Sequence, residues 1–174
     1  DGSEAGMCLN GIRCAASYIW KNKFMPISDI LVQTKYIDLE CIPKQKGEVS
    51  VLVNLPSTIH DKNLEQKINK KIERKFFLSN IGNNHLCIQM PSIEKVDLNS
   101  IYQELYKTIK DLDINLSIFT KSKGDIHIRT YENGTGETLS CGSAALCVAA
   151  KSLTKNKVKV ISIGVELSFK ANKN

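Results

Sequence analysis

Aromatic residues are scarce, at 6% of the 174 residues, and they do not interleave with basic residues as they do on nucleic-acid-binding surfaces. The net charge of +6 therefore argues for no nucleic-acid partner, because the lysines alternate with acids. The densest charged stretch, DKNLEQKINKKIERK at residues 61–75, carries Leu64, Ile68 and Ile72 at helical spacing and reads as a solvated amphipathic helix. Long apolar runs are missing too. None approaches the roughly 18 to 20 uncharged residues of a membrane helix, and the opening DGSEAGMCLNG lacks a basic-then-apolar leader pattern, so the expectation is a cytoplasmic chain with no membrane partner. No two cysteines have the two-residue spacing of a zinc knuckle, and His60, His85 and His127 are scattered, so no metal site is expected. What remains, 42% hydrophobic and 24% charged, describes one ordinary domain or two small lobes.

Six cysteines stand at positions 8, 14, 41, 87, 141 and 147 and are expected to be reduced thiols. Two of them organise an internal repeat. Glu4 to Cys8 runs on to Cys14 and Ala16, and Glu137 to Cys141 runs on to Cys147 and Ala149, both as E-x3-C-x5-C-x-A. The copies lie 133 positions apart, too far for a solenoid and suited to two related lobes.

In each copy Gly, Asn or Ser follows the cysteine and helix formers follow those, IRCAASYIW and AALCVAAKSL. Cys8 and Cys141 are therefore expected at helix N-termini. Unpaired N–H groups there favour an anion, which predicts a lowered thiol pKa and a cradle for a carboxylate. Cys14, Cys41, Cys87 and Cys147 are expected to be small buried packing residues. Two activated thiols suggest a proton removed from carbon by one and returned by the other, which inverts a stereocentre without a cofactor. The plainer alternative, that the repeat records only duplication and both thiols fill a core, stays open at this point.

DGSEAGMCLNGIRC resembles the first cysteine motif of the diaminopimelate epimerase family, and IHIRTYENGTGETLSCGSAA resembles the second. SNIGNNH is similar to the family's Gly-Asn-Pro-His segment with Asn84 in place of proline, and DINLSIF to its asparagine-containing strand at Asn115. The resemblance implies cofactor-independent interconversion of LL- and meso-diaminopimelate in lysine and peptidoglycan-precursor biosynthesis, with an amino-acid substrate as partner and room for a homodimer. It implies Cys8 and Cys141 as the acid/base pair, and His85 and Glu132 as groups that tune their ionisation. It also implies a substrate pocket formed by Leu9, Asn10, Asn83, Asn115, Glu132, Asn133, Gly142 and Ser143. Three departures accompany it. Leu9 stands where the family has glycine, Asn133 stands where it has an arginine suited to a distal carboxylate, and the chain starts inside the first motif. Two other readings follow from these: a racemase of a different amino acid, or a truncated or degenerate relative without catalysis.

The fold class expected is α+β, with two pseudo-symmetric lobes, each a mixed or antiparallel sheet curled around a cysteine-led helix, the N-terminal lobe incomplete. Residues 1–50 would form the remainder of the N-terminal lobe and 51–174 the C-terminal lobe, the boundary falling within 45–60. Periodicity predicts helices over 10–22, 61–75, 98–110 with Asp97 as N-cap, and 142–153. It predicts strands over 30–42, 48–55, 85–90, 114–120 and 124–132, and a hairpin over 158–171.

Overall fold

The computed structural model describes residues 7–35, 37–153 and 157–171, so Glu4 to Gly6 of the first repeat lie outside the described residues. The chain divides into two units between Leu55 and Pro56. In the first, helix α1 (Leu9–Lys21) presents Leu9, Ile12, Ala16 and Trp20 on one buried face. That face packs on a three-stranded antiparallel sheet of β1 (Ile30–Gln33), β2 (Asp38–Pro43) and β3 (Val49–Leu52). The strand expected over 30–42 is thus two strands. Thr34 donates its amide to the Ile37 carbonyl and its hydroxyl accepts from the Ile37 amide, so the chain reverses there and pairs Ile30 with Cys41.

The second unit is one mixed eight-stranded sheet. Its strands are β4 (Ser57–Thr58), β5 (Phe76–Asn80), β6 (Asn84–Gln89), β7 (Ile114–Ser122), β8 (Asp125–Glu132), β9 (Gly136–Thr138), β10 (Lys157–Ile161) and β11 (Glu166–Lys170). The order is β11-β10-β8-β7-β6-β5-β4, with β9 also paired to β8. The β6–β7 and β8–β10 pairs are parallel and the others antiparallel. Residues 114–120 of β7 are all buried, because both faces of the sheet are covered.

One face carries α2 (Lys62–Asn69) and α3 (Leu98–Ile109), whose Leu64, Ile68, Leu98, Leu105 and Ile109 pack with Leu78, Leu86, Ile88, Leu116 and Ile118. Each helix starts on an aspartate cap. Asp61 accepts from the Asn63 and Leu64 amides and Asp97 from the Ser100 amide. The charged helix ends at Asn69 rather than running to 75. Residues 76–80 have a stronger claim on the chain, since β5 pairs along β6 and buries Leu78 and Ser79, and Ile72 reaches the core after the turn. Neither β5 nor β9 is evident in the sequence pattern.

Helix α4 (Gly142–Ser152) packs against β6, β7, β8, β10 and β11, so the sheet curls around it. Residues from Gly142 to Ala149 are all buried. A helix enclosed on every side has no polar stripe, and only small side chains such as Ala144, Ala145 and Ala149 let five strands approach it. Among the described residues no helix is long and apolar enough to cross a membrane. Because Ala149 is fully buried, Ala149→Leu is expected to cost about 1–3 kcal/mol of stability by overpacking, measured as a lowered urea midpoint. An unchanged midpoint would mean that the sheet does not close tightly on α4.

Candidate active site

In the first unit Cys8 is the N-cap of α1, and its Sγ accepts a 3.3 Å hydrogen bond from the Gly11 amide. A Cβ on Gly11 would lie 3.0 Å from that sulfur, so the absent side chain is what admits the thiol to the helix end. Leu9 is buried in the unit's core, and Asn10 accepts from the Arg13 guanidinium at 3.3 Å. Cys8 is exposed. Cys14 is exposed as well, contrary to the expectation of a buried packing residue, because it falls off the 9, 12, 16, 20 stripe that faces the sheet.

In the second unit Cys141 is the N-cap of α4, so in each unit a repeat cysteine caps a helix. The two caps differ. The residue three positions on is Ala144 rather than glycine, and Cys141 Sγ takes no capping hydrogen bond; it lies 3.3 Å from the Ser143 hydroxyl instead. Asn83 donates its side-chain amide to that hydroxyl at 3.4 Å, and its Oδ1 lies 3.0 Å from His85 Nε2. His85 is fully buried at the start of β6, in register with Asn115 on β7. The fold thus gathers His85, Asn83, Ser143 and Gly142 at the head of α4, with Glu132 close enough to act on the Cys141 charge.

Burial and the neighbouring Glu132 carboxylate push the Cys141 thiol up to about 11. The Ser143 hydroxyl and Ala144 amide pull the other way and are outweighed. The expected lowering of this thiol's pKa is therefore corrected: the helix end contributes in the predicted direction, and desolvation exceeds it. Burial pushes Cys147 up to about 12 and raises Cys87 as well, and it holds His85 down to about 4, neutral at physiological pH.

A second cluster adjoins this one. Asn115 Oδ1 accepts the Asn133 backbone amide at 2.9 Å. The Asn133 side chain accepts from the Tyr102 hydroxyl at 2.7 Å and donates to Asp113 at 3.1 Å, so both its ends are engaged by the protein. Glu132 accepts from the Thr138 hydroxyl at 2.6 Å. Gly11, Tyr102 and Thr138 were not picked out from the sequence as site residues. Gly11 left a signal as the glycine of the turn after Cys8, whereas Tyr102 and Thr138 reach the site only through tertiary packing. Among the described residues no group of three His, Cys, Asp or Glu side chains is placed to hold a metal ion.

The model of the diaminopimelate epimerase family matches residues 77–168. A diaminopimelate epimerase of Methanocella arvoryzae is 32% identical, over 97% of this chain and 66% of that protein. One from Wolbachia sp. subsp. Drosophila simulans is 31% identical, over 96% and 67%. Among solved structures, a phenazine biosynthesis PhzC/PhzF protein from Clostridium difficile shares the fold, with a TM-score of 0.66 at 16% identity over 97% of this chain and 66% of its own. The chain spans about two thirds of the length of these relatives.

The buried histidine and thiols give stability a defined pH dependence. Between pH 6.5 and about 4 the unfolded chain protonates His85 and the folded chain does not, so stability is lost as pH falls through this window, by on the order of 3 kcal/mol. From pH 9.0 upward the unfolded thiols ionise while Cys141 and Cys147 keep their protons to about 11 and 12, so stability is also lost as pH rises. Urea unfolding across pH should show both limbs, with the acid limb reduced in His85→Gln. Equal acid sensitivity in the two proteins would remove His85 as its source.

Proposed function

Because this chain belongs to the diaminopimelate epimerase family, we propose that it carries out cofactor-independent inversion at the α-carbon of diaminopimelate, with Cys8 and Cys141 as acid and base. The observation that carries this reading is the pair of helix-capping repeat cysteines, one in each unit, together with the polar cluster around the second. Cys141, held as a thiol by burial and Glu132, is the proton donor in the ligand-free protein. Cys8 is then the base in that direction of the reaction. Its thiolate takes the α-hydrogen as a proton and leaves the bonding pair on carbon, and the Cys141 thiol delivers its proton to the same carbon. The substrate leaves inverted, the two cysteines exchange protonation states, and no net proton or electron is consumed.

The carbanion is stabilised by delocalisation into the α-carboxylate. Amides at the heads of α1 and α4, at Leu9, Asn10, Gly142 and Ser143, suit such a group, since helix N-termini carry unpaired N–H donors and positive partial charge. Glu132 would receive the substrate amine, and Asn115 its far end, whereas both ends of the Asn83 amide face His85 and Ser143. In the reverse direction Cys141 is the base, which requires its thiolate to be stabilised when it forms.

A second reading, racemisation of a different amino acid, is favoured by Asn133. At the position where the family's arginine would pair with a distal carboxylate, this chain has a neutral amide already bound to Tyr102 and Asp113.

Exchange of the α-hydrogen for deuterium in heavy water under reducing conditions tests both readings, with LL- and meso-diaminopimelate beside a panel of single amino acids. The expected result is exchange into diaminopimelate that falls at least a thousandfold, on the order seen for lost catalytic groups, in Cys8→Ala and Cys141→Ala. Exchange into another amino acid alone supports the second reading. No exchange by the folded protein with any of them overturns both and leaves a non-catalytic relative.

A further inference from the structure

Asn83 joins His85 to Ser143 and so fixes which way the hydrogen bonds in this cluster run. A carboxamide has two chemically distinct ends: the oxygen only accepts and the nitrogen only donates. With Oδ1 facing His85 Nε2 at 3.0 Å, that ring nitrogen must carry the proton. With Nδ2 donating to Ser143 Oγ at 3.4 Å, the serine proton is free to point at Cys141 Sγ, 3.3 Å away.

The opposite arrangement is also chemically complete, with the amide flipped, the thiol donating to Ser143 and His85 accepting at Nε2. It differs in one respect. Among the described residues His85 Nδ1 is buried with no partner, so the flipped chain would enclose an unpaired N–H there, whereas the observed one encloses only a lone pair. Orphaned buried N–H groups are the rarer and costlier of the two.

We propose that His85, Asn83 and Ser143 form a one-way hydrogen-bond chain with every donor directed toward Cys141, which makes Asn83 and Ser143 positioning residues for the thiolate form of that cysteine. The inference rests on the reading of Cys141 as an acid/base group. Its chemical content is a preference between protonation states. A thiolate can only accept and accepts strongly, whereas a thiol sulfur is a weak acceptor, so a chain with every donor directed at Cys141 is worth more when that cysteine has lost its proton. The groups that face Cys141 otherwise oppose the thiolate: Glu132 from β8 is anionic, and Cys87 from β6 and Cys147 from α4 would add negative charge if ionised. His85 cannot help as a cation, because its burial keeps it neutral. It acts instead through the orientation it imposes on Asn83.

Two measurements test this, and neither requires turnover. The first is the ¹⁵N spectrum of the His85 imidazole at neutral pH. The expected result is protonated Nε2 and bare Nδ1, and an Nδ1–H tautomer overturns the chain. The second is the rate of iodoacetamide alkylation at Cys141 at about pH 8, read by mass spectrometry with Cys147 as internal control for access to the buried cluster. Below its midpoint the rate follows the thiolate fraction. Ser143→Ala should slow Cys141 about tenfold, as expected for one lost hydrogen bond to a charged group, and Asn83→Ala severalfold. Ser143→Thr should keep the wild-type rate within about twofold because it keeps the hydroxyl, with Cys147 unchanged throughout. Unchanged Cys141 rates in Ser143→Ala and Asn83→Ala, or equal slowing at Cys147, overturn the proposal. If the alkylation pattern and tautomer hold while the wild-type protein exchanges no substrate hydrogen, the epimerase reading fails and the hydrogen-bond chain stands.

Discussion

The packing of α4 inside its sheet is the constraint on which the rest of the second unit depends. A helix touched by five strands has to be made of small residues, and a sheet that curls tightly enough to touch it has to be buried on both faces where the curl is tightest. Both requirements are visible in the chain: alanines along α4, and seven consecutive buried residues in β7. The same packing delivers the N-terminus of α4, with Cys141, to the N-terminal end of β6, where His85 is the second residue. The dry surroundings of Cys141 are thus a by-product of the architecture rather than a local device.

That dryness decides the electrostatics. A helix terminus offers an anion about 0.3–1 kcal/mol at an exposed site and up to about 2 kcal/mol in a favourable buried one. Moving the Cys141 thiol from 9.0 to about 11 corresponds to roughly 3 kcal/mol in the opposite sense, so burial and Glu132 win. Cys8 shares the capping position but not the enclosure. Its sulfur is exposed and receives an amide hydrogen bond that Gly11 makes room for. Two copies of one sequence motif therefore place their thiols in unlike environments, one exposed and one enclosed.

Much of this was legible in the sequence where a local rule determined the outcome. Asp97 as a cap, the helices after Cys8 and Cys141, the paired strands over 114–132 and the α+β class all follow from capping chemistry and periodicity, and the repeat identified the two cysteines. What was not legible depended on partners distant in sequence. Residues 70–75 favour helix by composition, yet the helix stops so that Phe76–Asn80 can pair along β6. The engagement of Asn133 by Tyr102 spans 31 positions, and the bond between Asn83 and Ser143 spans 60. The sign of the Cys141 shift needed the burial of α4, which a stretch of alanines suggests but does not establish. Cys14 was misplaced because a cysteine beside alanines looks apolar until the buried stripe of α1 is traced.

The exposure of Cys8 and Cys14, set against the burial of the other four cysteines, also sorts the molecule for chemical tagging. A bulky fluorophore or spin label that reacts with thiols meets exposed sulfur only on α1, one residue at the cap and the other six positions further along the helix. The four enclosed thiols are buried, and a reagent much larger than iodoacetamide reaches them far more slowly than it reaches Cys8 and Cys14. Replacing Cys8 leaves Cys14 as a single accessible attachment point on a helix whose opposite face is anchored to β1, β2 and β3. Three strands and one helix thus carry a ready-made spectroscopic address, and the rest of the protein reacts far more slowly with the same reagent.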